Sequence, residues 1–145
     1  MKQEKYVVGT INLDSDESLE EALINSKNAL HIKKLGDLKV EVYSGEGQIP
    51  HMHIYGDNFN TCVCLYDNMY FAHAGKYRDK FNNSQLKQFS KWLDQQISTT
   101  TSAVVTNWEI ACIMWDNFNP ECKFPNNKKT NKKPNYEYMT NFKEQ

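Results

Sequence analysis

His51-Met52-His53-Ile54-Tyr55-Gly56-Asp57-Asn58-Phe59-Asn60-Thr61-Cys62-Val63-Cys64-Leu65-Tyr66-Asp67-Asn68-Met69-Tyr70-Phe71-Ala72-His73 is the stretch that decides the fold. It reads as a three-strand meander over 51–56, 59–66 and 69–73. Gly56-Asp57-Asn58 and Asp67-Asn68 punctuate it, because Asp and Asn tolerate the positive φ of tight hairpin turns. The middle strand, Cys62-Val63-Cys64-Leu65-Tyr66, is apolar on both faces. That places it centrally, with cover on each side.

Outward from the meander the pattern alternates between strand and helix. Tyr6-Val7-Val8-Gly9-Thr10-Ile11 is short and β-branched, hence a strand. Asp14-Ser15-Asp16-Glu17 supplies cap residues ahead of Leu19, Leu23, Ile24 and Leu30, which predicts a helix over about 16–30. Gly36-Asp37 breaks the chain, and Leu38, Val40 and Val42 then alternate with polar residues as a half-buried strand. On the other side, Asn83 or Ser84 is the expected cap of a helix with Leu86, Phe89, Trp92, Leu93 and Ile97 in one stripe. A loop over 98–102 follows. Asn107 is the expected cap of a further helix carrying Trp108, Ile110, Ala111, Met114, Trp115 and Phe118, and Pro120 marks its end. The expectation is one α+β domain over 1–122, an antiparallel sheet (central meander 51–73) packed with two to three helices. Its core is Ile54, Val63, Leu65, Leu86, Phe89, Leu93, Ile110 and Met114, with Trp108 and Trp115 as core anchors rather than a stacking platform.

The near-neutral total charge is a cancellation. Residues 1–122 hold 11 Lys/Arg and 16 Asp/Glu (−5), whereas 123–145 hold 6 and 2 (+4). An acidic body with a single arginine, Arg78, lacks the clustered cations of a duplex-binding surface, so nucleic-acid contact is confined to weak binding by the basic Asn/Lys-rich tail 123–145. Tyr136, Tyr138, Met139 and Phe142 give that tail apolar anchors, so partial docking on the body is expected. The bias to Lys and Asn over Arg suggests a low-GC bacterium or its phage. No apolar run reaches the roughly 18 residues of a membrane span, and Met1-Lys2-Gln3-Glu4-Lys5 does not lead into a signal-peptide core. A soluble cytoplasmic protein without membrane association or a disulfide framework is the expectation.

The chemistry concentrates at Pro50-His51-Met52-His53-Ile54. Residues two apart on a strand share a face, so His51 and His53 project together. A two-residue turn at Asp57-Asn58 sets 53 opposite 62 and 51 opposite 64. A second one at Asp67-Asn68 sets 62 opposite 73. His51, His53, Cys62, Cys64 and His73 then share one face and form a candidate metal set, zinc suiting a mixed nitrogen and sulfur donor group. A three-residue turn would place Thr61, Val63 and Leu65 there instead. On the bland reading the cysteines are small buried hydrophobes and the histidines make ordinary hydrogen bonds. His51, His53 and His73 with Lys76, Tyr77 and Arg78 are also a candidate ligand-binding mouth for a small, phosphorylated molecule, although Gly45-Glu46-Gly47 is no phosphate loop. Glu41, Glu46 and Asp57 are the carboxylates able to neighbour the histidines, without the spacing of a catalytic pair.

Gly47-Gln48-Ile49-Pro50-His51-Met52-His53-Ile54, with the hairpin, third strand and Leu/Trp-bearing helix that follow, resembles the small bacterial Pro-His-x-His proteins classed as a domain of unknown function. Those are typically built around Pro-His-Phe-His-Val, and some are encoded in toxin–antitoxin-like pairs. The likeness covers roughly 36–118. Met52 in place of the aromatic, the added N-terminal elements and the basic tail are departures. The resemblance implies a small α+β fold and an accessory role in mobile-element biology. Two expectations result. The first is a non-enzymatic binding or regulatory accessory protein, needing no cofactor and acting on a protein partner or small ligand, with oligomers allowed. The second is a small zinc-dependent hydrolase or nuclease working through the His51/His53/His73 face.

Overall fold

A computed structural model of the chain describes residues 3–13, 35–47, 49–73, 79–98, 104–122, 132–139 and 142–143. In chain order the elements are β1 (Lys5–Asn12), β2 (Asp37–Tyr43), β3 (His51–Gly56), β4 (Phe59–Cys64), β5 (Tyr70–Phe71), α1 (Asn83–Leu93), β6 (Gln96–Ser98), β7 (Val104–Thr106), α2 (Asn107–Phe118) and β8 (Phe142–Lys143). The chain is an α+β protein: one sheet runs β1-β2-β3-β4-β5-β8, and β6 and β7 form a separate ribbon. Pairing in the main sheet is antiparallel as far as β5, and β8 joins β5 in parallel. The helix expected over 16–30 lies outside the described residues.

The first hairpin has the two-residue turn that the shared face needs. Gly56 pairs with Phe59, His53 with Cys62 and His51 with Cys64. The second connection is longer than a two-residue turn. Val63 lies opposite Tyr70 rather than Ala72, and the Cys64 N–H donates to Met69 O at 2.9 Å. Beyond Cys64 the backbone of Leu65 faces β3 and α2. Its N–H donates to Pro50 O at 2.9 Å, and its carbonyl accepts the Trp108 indole N–H at 3.1 Å. The strands expected to reach 66 and 73 are shorter. The slip is two residues, so side-chain parity survives and His73 keeps its face.

One face of the sheet is the core. Val40, Val42, Met52, Ile54, Val63 and Tyr70 pack beneath Leu86, Phe89 and Leu93 of α1 and Trp108, Ala111 and Trp115 of α2. A capping box starts α1 at Asn82, one residue before the expected caps. The Asn82 side chain accepts the Gln85 N–H at 2.8 Å, and Gln85 Oε1 accepts the Asn82 N–H at 2.9 Å. Ile97 is not part of this helix. The chain leaves it at Asp94, and Gln96–Ser98 pairs with Val104–Thr106, a β-branched run to which the sequence reading gives no element. Thr106, not Asn107, caps α2, in a second box with Glu109.

The inward face of α2 is Trp108, Ala111, Cys112 and Trp115, while Ile110 and Met114 are half-buried. The indoles decide that rotation, since Trp115 Nε1–H donates to Cys122 O at 2.9 Å as Trp108 does to Leu65 O. Large amphipathic rings take the buried positions where both ring and N–H are satisfied.

The described part of the tail is docked. Tyr136 is buried in the core and its hydroxyl donates to Cys64 O at 2.6 Å. Lys133 Nζ reaches Ser90 Oγ at 2.5 Å and Asp94 at 3.2 Å, and Lys143 pairs with Asp67 at 2.6 Å. Among the described residues no helix is long and apolar enough to cross a membrane.

Candidate metal centre

The opposite face of β3 carries the candidate site. His51 and His53 are buried there, and the end of β5 delivers His73, whose side chain is 23% exposed. The ring centroids of 51 and 53, 51 and 73, and 53 and 73 are 5.2, 5.2 and 5.3 Å apart, a nearly equilateral triangle. A carboxylate sits at its centre. Glu46 Oε1 accepts a hydrogen bond from His53 Nε2, Oε2 accepts one from His73 Nε2 at 2.8 Å, and His51 Nε2 lies 3.5 Å from Oε1.

The loop between β2 and β3 is built to present Glu46. Gly45 and Gly47 on either side have φ of 67° and 87°, left-handed values that a side chain would strain. The Glu46 N–H donates to Asn119 Oδ1 at 3.1 Å, and Asn119 Nδ2 donates to Tyr43 O at 2.9 Å. Asn119, fully buried at the C-terminal cap of α2, thus ties the helix to the carboxylate-bearing loop. Trp115 adds a ring contact to His51 at 5.1 Å.

The hydrogen bonds assign the proton positions. His51 Nδ1–H donates to Ile49 O at 2.6 Å, which leaves Nε2 as the nitrogen turned toward the cluster. That nitrogen is fully buried, makes no hydrogen bond, and faces a carboxylate oxygen. A cation at that point, a proton on the imidazole or a metal ion between the two atoms, is what makes the approach favourable. Burial pushes the Glu46 carboxyl up, but the three imidazoles outweigh it and hold the group well below the usual carboxylate range. His53 moves down, chiefly because burial disfavours its cation, against the pull of Glu46.

Ligand atoms of Glu46, His51, His53 and His73 all lie within 4.8 Å of one another, a set able to hold a metal ion. A tetrahedral zinc with bonds of about 2.1 Å spaces its ligand atoms about 3.4 Å apart, so small rotamer shifts of about 1 Å would seat one. Three nitrogens and one oxygen also suit other first-row metals.

Cys62 and Cys64, expected among the ligands, are replaced there by Glu46. Cys62 Sγ is hydrogen-bonded to His53 Nδ1 at 3.3 Å, and Cys64 packs with Cys62 and Phe71 in an apolar cluster. Burial is the main force raising both thiols, Cys64 to about 12. All four cysteines are free. Lys76, Tyr77 and Arg78 of the expected cationic mouth lie outside the described residues.

A cavity of about 450 Å³ opens onto Glu46, His53 and His73, with Tyr43, Tyr55, Asn60, Thr61 and Gln3 completing its wall. Behind the phenols sits Glu41, the cross-strand partner of His53, fully buried. Tyr43 donates to its Oε1 at 2.5 Å, and Lys5 Nζ stands 3.4 Å from Oε2. The sequence reading named Glu46 and Glu41 only as neighbours and did not single out Asn119. An acid between two glycines, four residues before Pro50, was the available signal for Glu46.

No protein-family model matches this chain, and neither a curated protein nor a solved structure matches it. The Pro-His-x-His likeness rests on its own residues.

Proposed function

We propose that this chain is a small metalloprotein, holding one divalent ion of the zinc class on His51, His53 and His73 and hydrolysing a substrate bound in the adjoining cavity. The carrying observation is the buried Nε2 of His51, turned toward Glu46 by the bond of the other ring nitrogen to Ile49 O, with no hydrogen bond of its own and three further ligand atoms within 4.8 Å. Fixing one ring nitrogen by a backbone carbonyl is how proteins orient a metal-ligating imidazole. The ion, when bound, supplies Lewis acidity and a water acidified to near neutrality. Glu46 borders the cavity beside two ligands, where it takes the proton from an attacking water and passes it to the leaving group. Tyr43 stacks edge-on against His53 with centroids 4.7 Å apart, and holds that ring against the cavity wall.

One observation favours a second reading. If Glu46 also ligates, four protein ligands close the sphere, as in structural zinc sites, and the chain is a non-enzymatic binding or accessory protein. Metal analysis of protein purified without chelator separates the outcomes. About one ion per chain is expected, lost in His51→Ala and His53→Ala. Protein that stays metal-free after equilibration with zinc sinks both versions. Zinc-loaded protein that turns over neither carboxylic nor phosphoric esters leaves the second.

A further inference from the structure

Cys62 is a buried sulfur that the hydrolytic reading does not use. It faces His53 directly across the hairpin, and its Sγ lies 3.3 Å from His53 Nδ1, the nitrogen pointing away from Glu46. Both residues are buried, Cys62 fully, so water does not compete for either atom. Each of the other two sides of this ring is fixed as well: Nε2 by Glu46 and the ring edge by Tyr43.

We propose that Cys62 is a positioning residue that sets which nitrogen of His53 carries the proton, and that loading the site reverses the hydrogen bond between them. In the structure described here, His53 Nε2–H donates to Glu46, so Nδ1 holds a lone pair and the thiol S–H donates to it. A metal ion on Nε2 requires that nitrogen to be unprotonated. The ring's single proton then sits on Nδ1 and donates to a sulfur lone pair, while the thiol keeps its own hydrogen and turns it aside. One proton changes place on one ring, and no thiolate or net charge is created. A thiol can serve in both states because sulfur is both a weak donor and a weak acceptor. A methyl group can serve in neither. The inference rests on the metal reading only for the second state; the first belongs to the metal-free protein.

Nitrogen-15 NMR of the imidazoles and the infrared S–H band, read on the full chain with and without zinc, test it beside Cys62→Ser and Cys62→Ala. Metal-free wild type is expected to show His53 protonated at Nε2 and a thiol band displaced by a nitrogen acceptor. Zinc is expected to move the proton to Nδ1 and the band back. Cys62→Ala is expected to lose ten- to hundredfold in zinc affinity, the range of outer partners of metal-bound histidine, and Cys62→Ser to recover most of it. Wild-type affinity in a folded Cys62→Ala protein overturns the proposal. So does a thiolate-to-metal charge-transfer band in the cobalt-loaded protein, which would make Cys62 a ligand. If wild type binds no metal, the metalloprotein reading fails separately, and the metal-free tautomer alone decides whether Cys62 sets it: a mixture of tautomers in wild type overturns that too.

Discussion

The two faces of the central hairpin use the same strands for opposite purposes. Met52, Ile54 and Val63 point into a continuous apolar core under α1 and α2. One residue along in each case, His51, His53 and Cys62 point into a buried polar cluster around Glu46. The first face gains stability from area removed from water. The second pays for desolvating a carboxylate and three imidazoles, and recovers it only through mutual hydrogen bonds. A protein keeps such a face for something other than stability.

The widest separation between the faces is expected from a pair of truncations. Phe89→Ala, on the apolar side, is expected to cost about 3–5 kcal/mol in urea unfolding while its folded fraction keeps the wild-type metal stoichiometry. His53→Ala is expected to do the reverse, abolishing metal while moving stability much less. Equal destabilisation by both would erase the contrast.

An intermediate effect is read at alkaline pH. Burial pushes the Tyr70 phenol from 10.0 up to about 12, against the Phe81 N–H bond that pulls it down. A raised folded value means that the stabilisation is fully present below pH 10 and is lost as pH rises toward 12, by about 2–3 kcal/mol over that span. Tyr70→Phe is expected to flatten this limb of the stability profile. An unchanged limb would place the alkaline loss elsewhere.

Smaller again is the contribution of the docked tail. Tyr136→Phe removes a donor and leaves Cys64 O buried without it, an expected loss of about 1–2 kcal/mol by thermal or urea unfolding. No loss would mean that the phenol's ring alone does the anchoring. The smallest perturbation is chemical. Cys122 is half-buried and Cys62, Cys64 and Cys112 are buried with raised thiols, so a thiol reagent is expected to label Cys122 first and the other three only on unfolding. Rapid labelling of Cys62 in the folded protein would show the polar face to be open.

Much of this was legible in the chain. The alternation of residues 51–56 put His51 and His53 on one face, because a strand has period two, and the Asp57-Asn58 turn offered two registers, of which the structure takes the one that adds Cys62. The helix stripe at Leu86, Phe89 and Leu93 was legible for the same kind of reason. The orientation of α2 was not. Ile110 and Met114 have helical spacing as good as Ala111 and Cys112, and the choice came from where two indole N–H groups find carbonyls.

The sequence by itself determined the α+β class and the common face of His51 and His53, since those follow from local periodicity, whereas the arrival of His73 and Cys62 on that face depended on turn lengths. Only the tertiary structure decided the fourth member of the cluster. Glu46 sits on a loop whose course depends on two left-handed glycines and on Asn119, 73 residues away, and loop geometry of that range has no period to read. It also decided that Cys62 turns its sulfur to a histidine rather than to a shared ion, because that depends on what else fills the centre of the triangle.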